Sequence, residues 1–363
     1  MDNGKWKMEN DRRGNPCVYP FLLLIFIIFF FASCKKEDII HTSNDLRTDV
    51  LIIQSTDSFI NSGLASIVIE EFERQYECTI YLVNQKNGDE LLNQLIANRE
   101  NPVADIAMGI LSTQFYRALQ SNLFMQNDSE LVRPVNDSVL LVDSRNRLIP
   151  YNYTYYGFVY DSEIIPTPPK TLGEMQSSIW NNRIITIDPS VSPSSRGKLL
   201  WSLGIFGERC FEQFWRTQRA SIINMASNFD EAYTAFLAGE APVIFSHVTT
   251  PFIYQEIEGL SRYKSFIPSE GTLKEIEFAG IISGSQNLYL ARRFLEFMLS
   301  ENFQSHVPTT LWRFPVINDI DLPLSFTELE IPENDLSKRI FERPNFYNTS
   351  WIDLWLLTVN STR

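Results

Sequence analysis

The segment Ser192-Pro193-Ser194-Ser195-Arg196-Gly197-Lys198 combines hydroxyl side chains, two basic residues and a glycine. It lies between a predicted strand and a predicted helix, where free backbone amides and the positive end of the helix can bind an anion. Ser194, Ser195, Arg196 and Gly197 are therefore candidate ligand-binding residues. A capped turn with solvated basic side chains would have the same sequence, so both interpretations stay open.

Other kinds of chemistry lack their usual residues. The 4 cysteines form no CxxC pair and there are only 3 histidines, so no metal site is predicted. No GxSxG, HExxH or P-loop motif is present, which disfavours an enzyme. The formal charge of −13 repels a phosphate backbone, so nucleic acid is not an expected partner. No cofactor is predicted.

The N-terminus has the form of a secretion signal. Basic residues at Lys5, Lys7, Arg12 and Arg13 precede an apolar run at 19–32, which falls short of the roughly 20 residues of a membrane span. Small residues before Cys34 resemble the lipobox of bacterial lipoproteins. We expect a signal peptide at 1–33, lipidation of Cys34 and a polar tether at 34–47. An uncleaved signal anchor with an incidental cysteine is the alternative.

Strand and helix patterns then alternate along the chain. Apolar periodicity predicts strands at 49–53, 78–83 and 105–108, and helices at 64–72 and 90–99. Such alternation indicates a wound parallel sheet, which binds ligands at the carboxyl ends of its strands. The loops at 56–59 and 109–112 should therefore face a ligand. Their candidate residues are Thr56, Asp57, Ser58, Phe59 and Gly109, although Asp57 would also suit a helix N-cap.

A second series follows the tyrosine-rich stretch at 150–160. It predicts strands at 184–187 and 242–245 and helices at 199–206 and 230–237, before the chain returns to the first series near 276–282. A long helix at 288–298 and a C-terminal helix packed on the first lobe complete the pattern. The fold class is α/β with two lobes, each a mixed sheet flanked by helices, and a cleft between them. Lobe 1 is assigned to 48–152 plus 277–363 and lobe 2 to 153–276.

Several short segments together carry a family resemblance over about 50–316. They are Thr56-Asp57-Ser58-Phe59, Ala104-Asp105 with Gly109, Pro150 through Asp161, Asp188-Pro189 with Gly197, the run from Glu231 to Pro251, and Val307-Pro308-Thr309 with Trp312 and Pro315-Val316. In these segments the sequence resembles the thiamine-binding receptors of bacterial ABC importers, which are type II periplasmic binding proteins.

The resemblance implies a monomeric receptor whose cleft closes on thiamine or its phosphate esters and delivers the ligand to an ABC permease and its ATPase. A lipid anchor on Cys34 would hold it on the bacterial membrane, facing the periplasm or the cell exterior. Trp312 would stack on the ligand, or else be a core residue. The other implied ligand contacts are Tyr153, Tyr155, Phe229, Tyr233, His247 and Thr249.

Hinge closure near 151–160 and 270–282 would trap the ligand between Asp57 and Trp312 on one side and Ser194–Gly197, Phe229 and His247 on the other. A phosphorylated thiamine would find its anion site at Ser194–Gly197.

The chain also departs from these receptors at five positions. The receptors tend to have an aromatic residue where this chain has Thr56, Trp where it has Gly63, and Asp where it has Leu111. They also tend to have Trp at the position of Phe229 and Tyr at that of His247. A relative of thiamine is therefore an alternative ligand.

Other ligands and other classes of protein also stay open. Iron receptors of this fold bind metal through paired tyrosine oxygens, which makes ferric iron the second ligand and a polyamine the third. Tyrosines at alternating positions of a crossing strand, as at 151–156, more often serve packing and the hinge. A structural or adhesive lipoprotein is the remaining class. Cys78 and Cys210 could form a disulfide or remain thiols.

Overall fold

The computed structural model describes residues 49–342 and 350–360. The expected signal peptide, the lipidation site Cys34 and the tether at 34–47 lie outside the described residues. Within the described part of the chain, no helix is long and apolar enough to cross a membrane. Cys78 and Cys210 are free thiols, so the disulfide alternative is wrong.

In the described part of the chain, nine strands form two sheets that share one long strand. The strands are β1 (Val50–Thr56), β2 (Thr79–Gln85), β3 (Ile106–Leu111), β4 (Ile149–Asp161), β5 (Ile184–Ile187), β6 (Ile222–Ala226), β7 (Val243–His247), β8 (Tyr263–Phe266) and β9 (Lys274–Ile281). The first sheet has the order β2-β1-β3-β9-β4, and the second continues from β4 through β7 and β5 to β6, with β8 also paired to β4.

Both sheets mix strand directions. β1 runs parallel to β2 and β3, whereas β9 is antiparallel to β3 and β4. In the second sheet β5 is parallel to β6 and β7, and β4 is antiparallel to β7 and β8. β4 pairs with β9 up to Tyr155 and with β7 from Tyr156 onward. The chain therefore passes from one sheet to the other in the middle of β4.

Helices flank the two sheets. They are α1 (Asp57–Ile60), α2 (Leu64–Tyr76), α3 (Gly88–Ala97), α4 (Phe115–Gln120), α5 (Arg196–Phe206), α6 (Glu208–Gln218), α7 (Phe229–Leu237), α8 (Thr250–Glu258), α9 (Leu288–Met298), α10 (Glu301–Gln304), α11 (Val307–Thr310), α12 (Leu324–Thr327), α13 (Ser337–Phe341) and α14 (Ser350–Asn360). The expected α/β architecture is confirmed.

The C-terminal helix packs where the sequence prediction did not place it. Trp355 of α14 meets Trp215 of α6 edge to face at 5.8 Å, and Trp351 meets Phe211 at 5.3 Å. These partners belong to the stretch assigned to lobe 2, so the expectation that this helix packs on lobe 1 is wrong. The cause is the aromatic stripe that α6 presents to its neighbours.

Candidate functional site

The first group of expected ligand residues lies where β1 ends and α1 begins. Thr56 is the last residue of β1 and the N-cap of α1, so Asp57 is the first helical residue and not the cap. The Asp57 carboxylate accepts a hydrogen bond from the Asn84 amide at 2.8 Å. Ser58 is exposed and its hydroxyl donates to Glu277 at 3.2 Å, while Phe59 is buried in the core.

Gly109 lies beside this corner, within a strand and not in the loop that the sequence predicts. β3 continues to Leu111, and its pairing with β9 shifts register between Met108 and Ile110. Gly109 has φ +96°, and a Cβ there would lie 2.4 Å from the Thr56 hydroxyl. The position therefore needs glycine for its backbone conformation and for its close approach to Thr56.

A cluster of buried charges occupies the middle of β9. Glu275 and Glu277 are two residues apart, so their side chains share one face of the strand, and they are 1% and 2% exposed. The Arg313 guanidinium donates to Glu275 at 2.8 Å and lies 3.4 Å from Glu277. Unpaired carboxylates would be costly at this depth, so one arginine shared by two carboxylates makes their burial possible.

β4 supplies further hydrogen bonds to the same carboxylates. The Tyr151 hydroxyl and the Asn152 amide donate to Glu277 at 2.5 and 3.0 Å. The Tyr156 hydroxyl donates to Glu275 at 2.6 Å and also contacts the Ser194 carbonyl at 2.9 Å. The cluster thus joins the strand that connects the two sheets to the loop after β5.

His247 and Ser194 bring the second sheet into the cluster. His247 Nε2 lies 3.1 Å from a Glu275 oxygen and 3.3 Å from the Ser194 hydroxyl. Phe229, the first residue of α7, stacks on the His247 ring with centroids 5.3 Å apart. Two other expected residues, Tyr233 and Thr249, are buried. The Tyr233 hydroxyl shares a hydrogen bond with the Ser246 hydroxyl at 2.6 Å, and the Thr249 hydroxyl shares one with Thr154 at 3.1 Å.

The cluster keeps its charges in the folded state. Burial alone would raise the pKa of Glu275, but His247 and Arg313 lower it well below its usual range. Burial opposes the charge of Arg313, but Glu277 and Glu275 raise the pKa of Arg313 above its ordinary value. For Tyr151 and Tyr156, burial and then the adjacent carboxylate raise each hydroxyl pKa well above its usual range. Tyr156 therefore acts as a neutral donor to the ionised Glu275, and Tyr151 as a neutral donor to the Glu277 carboxylate.

The predicted anion loop already uses most of its polar groups within the protein. Arg196 makes two hydrogen bonds to Asp89 of α3, at 3.0 and 2.5 Å. The buried Ser195 hydroxyl donates to the Ile187 carbonyl at 2.5 Å. Gly197 lies against the Tyr156 ring, so closely that a Cβ would lie 2.1 Å from it. Of the four expected residues, Ser194 bonds to Tyr156 and His247 of the cluster around Glu275, and Gly197 packs against Tyr156.

Trp312 immediately precedes Arg313 in the chain. It has φ +54° and is half-buried against an aromatic cluster that includes Phe252, Phe314 and Phe326. Tyr153 stacks on Phe314 at 5.2 Å and Tyr155 meets Phe314 edge to face at 5.6 Å. Tyr153 and Tyr155 are thus grouped with Trp312 and not with the carboxylates that Tyr151 and Tyr156 contact.

The residues at the centre of the site were missed by sequence reasoning. Glu275, Glu277 and Arg313 were not among the candidates, although β9 was expected near 276–282. A signal was present, because two glutamates alternate with apolar residues in the run Lys274-Glu275-Ile276-Glu277-Phe278. In a strand that is buried throughout, such charges require partners, and buried ionised groups mark candidate functional sites.

The arrangement defines a class of protein. Two mixed sheets share a crossing strand, and charged, hydroxyl and aromatic side chains from both sides converge at that crossing. Such a fold is a two-lobed receptor that holds a small solute between its lobes. The stretch 101–330 matches the family of bacterial extracellular solute-binding proteins, and the chain belongs to that family. It is a solute-binding protein and not an enzyme.

Characterised relatives cover most of the chain. A thiamine-binding periplasmic protein of Brucella melitensis is 31% identical over 310 residues, covering 85% of this chain and 91% of the relative. One from Escherichia coli is 31% identical over 331 residues, covering 90% and 99%. A solved structure of a periplasmic thiamin binding protein has a TM-score of 0.73 at 29% identity, covering 86% and 96%.

More distant structures share the fold. The ferric binding protein from Campylobacter jejuni has a TM-score of 0.71 at 17% identity, covering 85% of this chain and 99% of that protein. The expected two-lobed type II periplasmic-binding-protein fold is confirmed by these neighbours.

Proposed function

We propose that this chain captures thiamine or one of its phosphate esters outside the cytoplasm and delivers it to an ABC permease. The observation that carries the proposal is its similarity, over most of both chains, to proteins named for thiamine binding. The proposal includes a lipid anchor at Cys34, which would keep the receptor at the membrane, and a monomeric receptor.

The chemistry of the cleft supports this ligand. Thiamine joins a flat aminopyrimidine ring to a cationic thiazolium, so its site needs aromatic faces and negative charge. Glu275 and Glu277 supply carboxylates, which are paired with Arg313 and, at Glu275, also with His247. Phe229 stacks on His247 of this cluster, and Trp312, which precedes Arg313 in the chain, packs against the aromatic cluster around Phe314. Both would supply aromatic faces to the ligand. Asp57, half-buried at the start of α1, would hold the amino group of the pyrimidine.

Ferric iron is less compatible with the same residues. Tyrosine binds ferric iron as a phenolate, so the hydroxyl must lose its proton. Burial raises the pKa of Tyr151, Tyr153, Tyr155 and Tyr156, and adjacent carboxylates raise it further at Tyr151 and Tyr156. Among the described residues, no group of three or more His, Cys, Asp or Glu side chains is placed to hold a metal ion.

We propose that the ligand is trapped by hinge closure between lobe 1 (48–152 plus 277–363, without the C-terminal helix α14) and lobe 2 (153–276, on which α14 packs). β4 supports this assignment, because its pairing changes from β9 to β7 between Tyr155 and Tyr156. Ser58 and Trp312 would then contact the ligand from the first lobe, and Phe229 and His247 from the second.

Thermal unfolding of the full chain with thiamine, thiamine monophosphate, thiamine diphosphate, ferric ion or spermidine tests the function. A ligand that binds only the folded state raises the melting temperature. We expect a shift with at least one thiamine compound and none with iron or spermidine. A shift with iron or spermidine alone would keep the receptor class and refute its proposed ligand.

Trp312→Ala tests the site itself. Loss of a cation–π contact of about 1–2 kcal/mol should weaken thiamine binding by about tenfold in calorimetric titrations. Tyr81→Ala is the matched control, because Tyr81 is an exposed aromatic residue on the outer strand β2. Equal affinity in wild type and Trp312→Ala would place the ligand elsewhere.

A further inference from the structure

The charge that could recognise a ligand phosphate is already neutralised in the protein. Arg196 stands at the start of α5, where an anion would be expected, yet both of its terminal nitrogens bond to the two oxygens of Asp89. This bidentate geometry is the strongest that an arginine and a carboxylate can form. Asp89 itself is fixed by the Gln114 amide at 2.7 Å.

The remaining groups of the loop are also occupied. The Ser195 hydroxyl donates its hydrogen bond to the Ile187 carbonyl, and the Thr113 hydroxyl donates to the Pro193 carbonyl at 3.2 Å. The second arginine of the site, Arg313, is held between Glu275 and Glu277. An arriving phosphate would have to break one of these ion pairs before it gained a guanidinium partner.

The buried charges around Glu275 and Glu277 also disfavour a phosphate. Arg313 is paired with Glu275 and Glu277, and His247 lies beside Glu275, so both basic groups of this cluster already have carboxylate partners. The ionised state of Glu275 is held in place by two neighbours, Arg313 at 2.8 Å and His247 at 3.1 Å. A thiazolium ring is attracted to these carboxylates, whereas a phosphate on its side chain would gain a cationic partner only if one of these ion pairs opened.

We propose that this receptor selects the unphosphorylated thiamine cation over thiamine phosphates, and that Asp89 sets this preference by holding Arg196 away from the ligand. The inference rests on the proposed function, which it narrows to one charge class of ligand. Asp89 and Arg196 are specificity determinants here, and neither needs to touch the thiamine ring.

Calorimetric titration of the full chain with thiamine and with thiamine monophosphate tests the preference. Wild type should bind thiamine more tightly by about tenfold or more, corresponding to roughly 1.4 kcal/mol. Asp89→Asn removes the charge that holds Arg196, so the ratio of the two affinities should fall by at least about threefold. Glu212→Gln is the control, because it breaks an exposed ion pair with Arg216 in α6 and should leave the ratio unchanged.

Arg196→Gln supplies an independent measurement. If Arg196 is committed to Asp89 in the wild type, its loss should change both affinities by the same factor. Selective loss of thiamine monophosphate binding in Arg196→Gln would show that Arg196 binds the phosphate and would overturn the inference. Equal wild-type affinities for the two ligands would overturn it as well, while leaving the proposed function intact. Failure of both ligands to bind would refute the function and the preference together.

Discussion

Glu275 shows how a single residue ties the site to stability. Its carboxylate is 1% exposed, and it is bonded to Tyr156, Arg313 and His247. Ion pairs at such depth gain little over a well-packed apolar core, but losing one partner is costly because the others stay buried and charged. The buried charges of this cluster are therefore better explained by a role in ligand binding than by a gain in folding stability.

Acid should destabilise the protein through this residue. The folded-state pKa of Glu275 lies well below the ordinary value of 4.5, so its contribution to stability is complete above about pH 4.5 and falls as the pH is lowered through the folded-state value. Urea unfolding from pH 7 to pH 3 should show this loss in the wild type.

Glu275→Gln removes that titration and should cost about 3 kcal/mol at pH 7. We expect its unfolding free energy to fall less steeply with acid than that of wild type. Identical pH slopes in the two proteins would contradict the assigned role. Glu130→Gln, which breaks an exposed pair with Arg133, provides the comparison.

At the scale of the elements, apolar periodicity predicted where helices and strands lie, but it did not predict which distant residues contact each other. The strand at 184–187 and the helix at 288–298 were predicted with their observed bounds, because apolar spacing reports which face is buried. The contact between Glu275 and Arg313 joins residues 38 positions apart in sequence. This contact depends on how β9 packs against the segment before Phe314. Local sequence patterns do not determine that packing.

Arg196 illustrates the same limit. Its loop has the composition of an anion site, and the prediction of a strand followed by a helix around it was correct. Its actual partner, Asp89, is 107 residues away on α3. The sequence identified the charged group but could not show that another element neutralises it.

Helix α5 also carries a buried lysine that should make stability depend on alkaline pH. Lys198 is 3% exposed, and its amine donates to Thr186 and to the Ile187 carbonyl and lies 4.9 Å from the Trp355 ring. It borders a cavity of about 40 Å³. Burial lowers its pKa from 10.5 to about 7, against a smaller opposing effect of Asp188.

Between these two values the unfolded chain binds the proton that the folded protein releases. Stability should therefore rise from pH 7 toward pH 10, by at most about 1.4 kcal/mol per pH unit. Lys198→Met should remove this rise, as measured by urea unfolding at several pH values. A rise of equal slope in Lys198→Met would assign it to other groups.

At the scale of the whole molecule, the two sheets are joined through β4, and Asp89 and Arg196 bridge them a second time from α3 to α5. The two side chains of this ion pair are 23% and 24% exposed. Because the pair joins side chains and not backbone, it can reorganise during closure while the continuous strand β4 holds the sheets together. Ligand binding should then protect both sides of the cleft and leave β4 unchanged.

Hydrogen exchange of backbone amides with and without thiamine measures this directly. We expect slower exchange at 57–59 and 312–313 in the first lobe and at 194–197 and 229–231 in the second, since closure buries all four segments around one ligand. Exchange within Asn152–Tyr156 should stay slow in both states, because each of these residues has a partner in β9 or β7. Protection confined to one lobe would mean that thiamine binds without closure, and the hinge at Tyr155–Tyr156 would then have to be abandoned.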